Sequence, residues 1–214
     1  MHENIIKIRL QFSKTDTLRF IGHLDFLRVF QQTIRRAALP VAYSQGFNPH
    51  ILLSFALPLP LGMESINDYA DLTLEKEMPL DEIAAKMNMN APVGLKISKA
   101  SPVENGRAAA ITVAADYLFH ANIPTDIIAK ALASETIVVP KKTKSGIKDT
   151  DIRPDILDIW QQDGKTILRL SAGSARFLNP LTVAEFLTSE KPSASNLSRL
   201  ELYQSDESGG FTPL

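Results

Sequence analysis

Ile6-Lys7-Ile8-Arg9-Leu10-Gln11-Phe12 alternates apolar with polar side chains over seven residues, the period of a strand with one buried face. After a polar turn, residues 23–38 change period: Leu27, Phe30, Ile34 and Ala37 or Ala38 recur at spacings of three and four. That spacing predicts a helix whose opposite face carries Asp25, Arg28, Gln32 and Arg35. Leu39-Pro40 is expected to end it, because the residue before proline is pushed out of the α region. Working outward, two short extended pieces, 41–44 and 51–57, flank the loop Gln45-Gly46-Phe47-Asn48-Pro49-His50. Leu57-Pro58-Leu59-Pro60-Leu61-Gly62 reads as a rigid crossing, since alternate prolines remove ladder donors. Residues 67–74 read as a strand, 79–88 as a helix and 94–101 as a strand. The predicted order is β-α-β-β-β-α-β, with both helices on one face of a mostly antiparallel sheet.

The second half repeats the scheme after a linker at 102–109. Residues 111–121 read as a strand, 124–133 as a helix, 136–140 as a β-branched strand, and 141–148 as a basic hairpin. Residues 152–160 and 166–170 are expected to pair across the Asp163-Gly164 turn, followed by a short helix at 181–187 and a closing strand at 197–203. The expected fold is therefore α+β: two tandem ferredoxin-like (split β-α-β) units, 1–102 and 110–204, with a frayed tail at 205–214.

The 214 residues are 44% hydrophobic and 22% charged, an ordinary globular composition. There is no cysteine, which excludes disulfides, thiolate zinc sites, a cysteine nucleophile and a cysteine-held iron–sulfur cluster in this chain. No N-terminal stretch reads as a signal peptide and no window supplies the ~20 apolar residues of a membrane span, so a cytoplasmic protein without a membrane partner is expected. The net charge of −1 conceals an asymmetry. Residues 1–60 hold seven Lys and Arg against three acids, a balance of +4 that leaves −5 for the rest. A local basic surface of this kind suits an anionic ligand.

The candidate ligand residues are Arg19, His23, Arg28, Arg35, Arg36, Tyr43, Ser44, Gln45, Asn48 and His50, joined by Arg153 beside Pro154. In the loop, Phe47 is expected to anchor in the core, leaving amides, a phenol and an imidazole to stack on or hydrogen bond to a base or sugar. His23, Asp25 and His50 form an alternative acid–base group if the helix start faces the loop. The same three satisfy a metal triad in residue type but not in helical spacing, so no metal and no cofactor are expected. The run Lys141-Lys142-Thr143-Lys144-Ser145-Gly146-Ile147-Lys148 is a second basic cluster, diluted by Asp149, Asp151 and Asp155.

The runs Leu18-Arg19-Phe20-Ile21-Gly22-His23-Leu24-Asp25, Ile34-Arg35-Arg36-Ala37, 39–50 and Ser54-Phe55-Ala56-Leu57-Pro58-Leu59-Pro60-Leu61-Gly62, with Asp151-Ile152-Arg153-Pro154, resemble the radical SAM-linked protein family. That family is an uncharacterised domain fused to, or encoded beside, radical SAM proteins. The chain departs from its pattern after His50, with Ile51-Leu52 in place of Pro and Lys. The resemblance implies a radical SAM protein as partner, and without cysteine this chain is not itself the radical SAM catalyst. Three readings follow: a non-catalytic binder presenting RNA, such as tRNA, to that enzyme; an RNA- or nucleotide-acting enzyme using His23, Asp25 and His50; or a docking module for the radical SAM protein itself.

Overall fold

The computed structural model describes residues 6–104, 106–143 and 146–214. It is an α+β protein built on one nine-stranded mixed sheet, with a separate two-stranded ribbon. The first half contains β1 (Ile6–Lys14), α1 (His23–Arg36), β2 (Leu53–Phe55), β3 (Glu64–Leu74), α2 (Leu80–Asn90) and β4 (Leu95–Pro102). Its strands lie in the order β4-β1-β3-β2, each neighbour antiparallel. A four-residue helix, α3 (Ala108–Ile111), leads into β5 (Ala114–Phe119), α4 (Thr125–Ala133), the ribbon of β6 (Val138–Thr143) and β7 (Gly146–Asp151), β8 (Ile156–Gln162), β9 (Lys165–Ser171), α5 (Pro180–Thr188) and β10 (Leu197–Ser205). These strands lie in the order β10-β5-β9-β8, the same arrangement when numbered within the half. No helix among the described residues is long and apolar enough to cross a membrane.

The alternation that opens the chain does what its period demands. Ile8, Leu10 and Phe12 are buried against α1, while Lys7, Arg9 and Gln11 turn to the other face. The buried stripe of α1 is Phe26, Phe30 and Ile34 with Thr33, so Phe26 takes the inward place assigned by sequence to Leu27. Phe12, Phe26, Phe30 and Phe55 form an edge-packed aromatic cluster, with Phe12 and Phe30 centroids 5.1 Å apart. A second core gathers Tyr117, Phe119, Leu168 and Leu170 under Ile128 of α4 and Val183 of α5.

Several expectations are corrected. Between α1 and β3 only β2 forms a strand, because Val41 pairs with Leu74 and Tyr43 with Ile51 as isolated bridges, the second across the base of a projecting loop. α1 ends at Arg36, ahead of Pro40: Ala38 takes a left-handed conformation (φ 51°), its N–H meets the Arg35 carbonyl, and the Leu39 N–H reaches back to Ile34. This is a six-to-one helix stop with alanine where glycine is usual. Residues 153–155 form a 3-10 turn, so the second-half strand starts at Ile156 and not at 152. The segment expected to be a frayed tail folds back at Asp206, whose carboxylate accepts from the Ser208 and Gly210 N–H groups, and β11 (Phe211–Pro213) pairs with β10. The ribbon stands where the basic hairpin was predicted, with Lys141 opposite Lys148; Lys144 and Ser145 lie outside the described residues.

The halves do not face each other across a cleft. They join edge to edge, where Ser198 and Arg199 of β10 run parallel to Glu64 and Ser65 of β3. Such pairing satisfies main-chain groups that a cleft would leave to solvent.

The helix stop generates a first test. Replacing Ala38 with glycine removes the Cβ penalty of the left-handed region and is expected to stabilise the protein by about 1 kcal/mol, read as a raised urea midpoint with unchanged slope.

Candidate functional site

The segment 42–52 is a projecting hairpin clasped at its neck. The Ser44 N–H donates to the His50 carbonyl at 2.8 Å, the His50 N–H donates to Ser44 Oγ at 3.1 Å, and that hydroxyl meets His50 Nδ1 at 2.8 Å. Nε2 is left as the imidazole nitrogen without a protein partner among the described residues. Above the clasp Gln45, Gly46, Phe47, Asn48 and Pro49 are all exposed. Phe47 is fully exposed, not anchored in the core as its type predicts. Closing the chain at residues 44 and 50 leaves the tip too short a tether to reach the core. An apolar ring held in water on a clasped hairpin is the kind of feature a partner covers.

The basic surface is smaller than the count implies. Of the seven cations in residues 1–60, Arg9 forms a buried pair with Asp71 at 2.8 Å, Lys14 is buried, Arg19 meets Glu64 at 3.2 Å and stacks on Phe20, and Arg28 bridges Asp25 at 2.8 Å on the helix surface. Lys7, Arg35 and Arg36 remain exposed without an ion-pair partner among the described residues. The proposed acid–base group is not assembled. His23 packs edge-on against Phe55 and lines one cavity, His50 lines another, and Asp25 is held by Arg28. No group of three His, Asp or Glu among the described residues is placed to hold a metal.

Arg153 is ordered, as its neighbouring proline suggested, but for another purpose. Its guanidinium donates to the carbonyls of Leu132 (2.8 Å), Ser134 (3.1 Å) and Ile156 (2.9 Å). It therefore caps the C-terminal end of α4, where the helix dipole favours a cation. This is a structural role, far in the chain from the residue 19–50 group it was expected to join.

Sequence reasoning missed the most heavily buried charges. Arg199 is wholly buried and donates to Asp68 Oδ2 at 2.5 Å and to the Leu57 and Pro58 carbonyls at 3.0 and 3.2 Å. Lys14 donates to the Ile21 carbonyl at 3.0 Å and lies over Phe26. Lys14, His23, Phe55, Leu57 and Asp68 line a narrow cavity of about 10 Å³, room for one water at most. Burial pulls the Lys14 ammonium below the usual lysine value, with the nearby Asp68 opposing. Burial likewise pushes the Asp68 carboxyl up, against the Arg199 charge. The start of the crossing, Leu57-Pro58, thus presents two carbonyls to Arg199.

Two outcomes are expected here. Asp68→Ala strands a buried guanidinium and should cost about 3–5 kcal/mol by urea denaturation, whereas Asp25→Ala on the helix surface should change stability by less than about 0.5 kcal/mol. Because folded Lys14 releases its proton more readily than the unfolded residue, the unfolded chain binds more protons between that lowered value and 10.5. The Lys14 contribution to stability therefore rises with pH across that range, and urea midpoints of Lys14→Met should lack that part of the rise.

A family model described as an uncharacterized protein conserved in bacteria (DUF2344) matches residues 7–180. No curated protein matches the chain.

Proposed function

The chain belongs to this DUF2344 family of bacterial proteins, and we propose that it is a cytoplasmic, non-catalytic binding protein that presents a structured RNA, such as tRNA, to a separate radical SAM enzyme. The radical SAM partner rests on the resemblance in the sequence runs around His23 and residues 39–62. The binding role rests above all on Phe47, a fully exposed ring at the tip of a clasped hairpin. Tyr43, Gln45 and Asn48 flank it, which is the mixture of aromatic and amide groups that stacks on and hydrogen bonds to unpaired bases. Arg35 and Arg36, exposed in the last turn of α1, supply phosphate contacts free of internal partners among the described residues. The repeated strand order supports a further reading of the architecture, two ferredoxin-like units (1–102 and 110–204) derived by duplication.

A second reading, docking of the radical SAM protein itself on the hairpin, is favoured by the apolar character of the Phe47 tip. The two separate cleanly. For RNA, anisotropy titrations with tRNA should weaken steeply with salt, and Arg35→Ala with Arg36→Ala should reduce the slope of log Kd against log salt by about 2. Phe47→Ala should weaken binding by about 1–3 kcal/mol. Absent or salt-independent binding overturns the RNA reading. Co-purification of the radical SAM protein that survives nuclease and is lost in Phe47→Ala establishes the docking reading instead.

A further inference from the structure

At the base of the hairpin lies a groove of about 310 Å³, lined by Lys7, His50, Ser54, Asp71, Thr73 and Arg107 with the intervening chain 51–53. A second hollow of about 260 Å³ adjoins it through Ser54 and Arg107 and reaches Ser174. We propose that this groove binds a phosphate group, carried either by a nucleotide monoester or by a phosphodiester of a nucleic acid.

Charge bookkeeping comes first. Asp71 lines the groove, but its carboxylate is already committed: Oδ1 accepts from Arg9 Nε at 2.8 Å, and Oδ2 accepts from Arg9 Nη2 at 3.3 Å and from the Ala108 N–H at 2.6 Å. With that charge cancelled by buried Arg9, the wall carries two cations, Lys7 and Arg107, and neither has an ion-pair partner among the described residues. Two uncompensated positive charges beside hydroxyls of Ser54 and Thr73 suit the several acceptor oxygens of a phosphate, singly charged as a diester or up to doubly charged as a monoester, better than a single carboxylate.

The main chain that carries the two cations is held in place. The same Arg9–Asp71 pair grips the main chain on both sides of Arg107, since Arg9 Nη2 donates to the Gly106 carbonyl at 2.8 Å and Asp71 accepts the Ala108 N–H. Arg107 therefore springs from a fixed point. Lys7 sits opposite Thr73 in the β1–β3 ladder, two residues along from the Arg9–Asp71 pair and on the same face. His50 is fixed by its clasp to Ser44 through Nδ1, which leaves Nε2 as a further polar group on the groove's rim.

The proposal goes beyond the RNA reading, since a free monoester would occupy the groove whether or not RNA binds the hairpin tip. Isothermal titration of the full chain with AMP, adenosine, inorganic phosphate and a short oligonucleotide bearing only internal phosphodiesters tests it. Binding of AMP and phosphate but not adenosine identifies a monoester; binding of the oligonucleotide without AMP identifies a diester. In either case Arg107→Ala and Lys7→Ala should each weaken binding by about tenfold, the loss of one charge-assisted contact, Arg107→Lys should recover part of it, and Lys130→Ala, a surface cation of α4 paired with Asp126, should leave binding unchanged. Circular dichroism checks that each variant is folded. No binding of any phosphate-bearing probe, or binding indifferent to both Arg107→Ala and Lys7→Ala, overturns the proposal.

Discussion

Arg199 and Asp68 meet at the place where two sheets become one. The main-chain joint between the halves is short, a parallel pairing of Ser198 and Arg199 with Glu64 and Ser65, and main-chain bonds alone would leave it weak. The guanidinium extends the joint sideways to the Asp68 carboxylate on β3 and to the Leu57 and Pro58 carbonyls at the start of the proline-rich crossing. Desolvating such a pair is expensive, so its contribution lies less in net stability than in the penalty for every arrangement that leaves either charge unpaired. The position of the first core relative to the second, and with it the course of the crossing, follows from that penalty.

The opposite face of the sheet is organised by a second buried pair, Arg9 with Asp71, which ties α3 and its flanking chain to β1 and β3. A half-buried pair, Arg169 with Asp116, is shared with the Tyr203 hydroxyl and lies among Trp160, Tyr203 and Phe211. That aromatic company explains why the last described residues are not loose. The Phe211 ring lies against the Arg169 guanidinium, and the β10–β11 pairing holds it there. The recurring device is a cation drawn out of solvent to organise main chain, and it accounts for the small number of arginines left free at the surface of the basic half.

What was readable from sequence was whatever obeys a period. β1, α1, β3, α2 and β4 emerge from alternation or three-to-four spacing, whereas the strand expected at 41–44 does not form and the four-residue helix α3 stands where a linker was expected. What was not readable depends on breaks in the period. Arg199 stands in a strand whose strict alternation would put it on the face of Glu201 and Tyr203. A register shift between Arg199 and Glu201 reverses that parity and places Arg199 on the side of Leu202, in the core. Phe47 misleads for the converse reason, since residue type alone sends an aromatic inward, whereas the local Ser44–His50 clasp holds the tip out. Arg153 was visible as an ordered arginine, but whether an ordered arginine serves a ligand or a helix end depends on where α4 stops. The hairpin, with Tyr43, Gln45, Asn48 and His50, was legible as a unit, and the groove beneath it was not, because Lys7 and Arg107 are a hundred residues apart in the chain.

The distance between Asp68 and Arg199 along the chain, 131 residues, also has a meaning in time. At about 5–20 residues per second of synthesis, roughly 7–26 s separate the appearance of the carboxylate from that of its counter-charge. During that interval the nascent first half carries an acid facing its core with Lys14 as its neighbouring cation among the described residues, and β3 presents an incomplete edge. The ribosome-bound chain must therefore wait, with that edge exposed to other strands or to chaperones, until β10 emerges to close it.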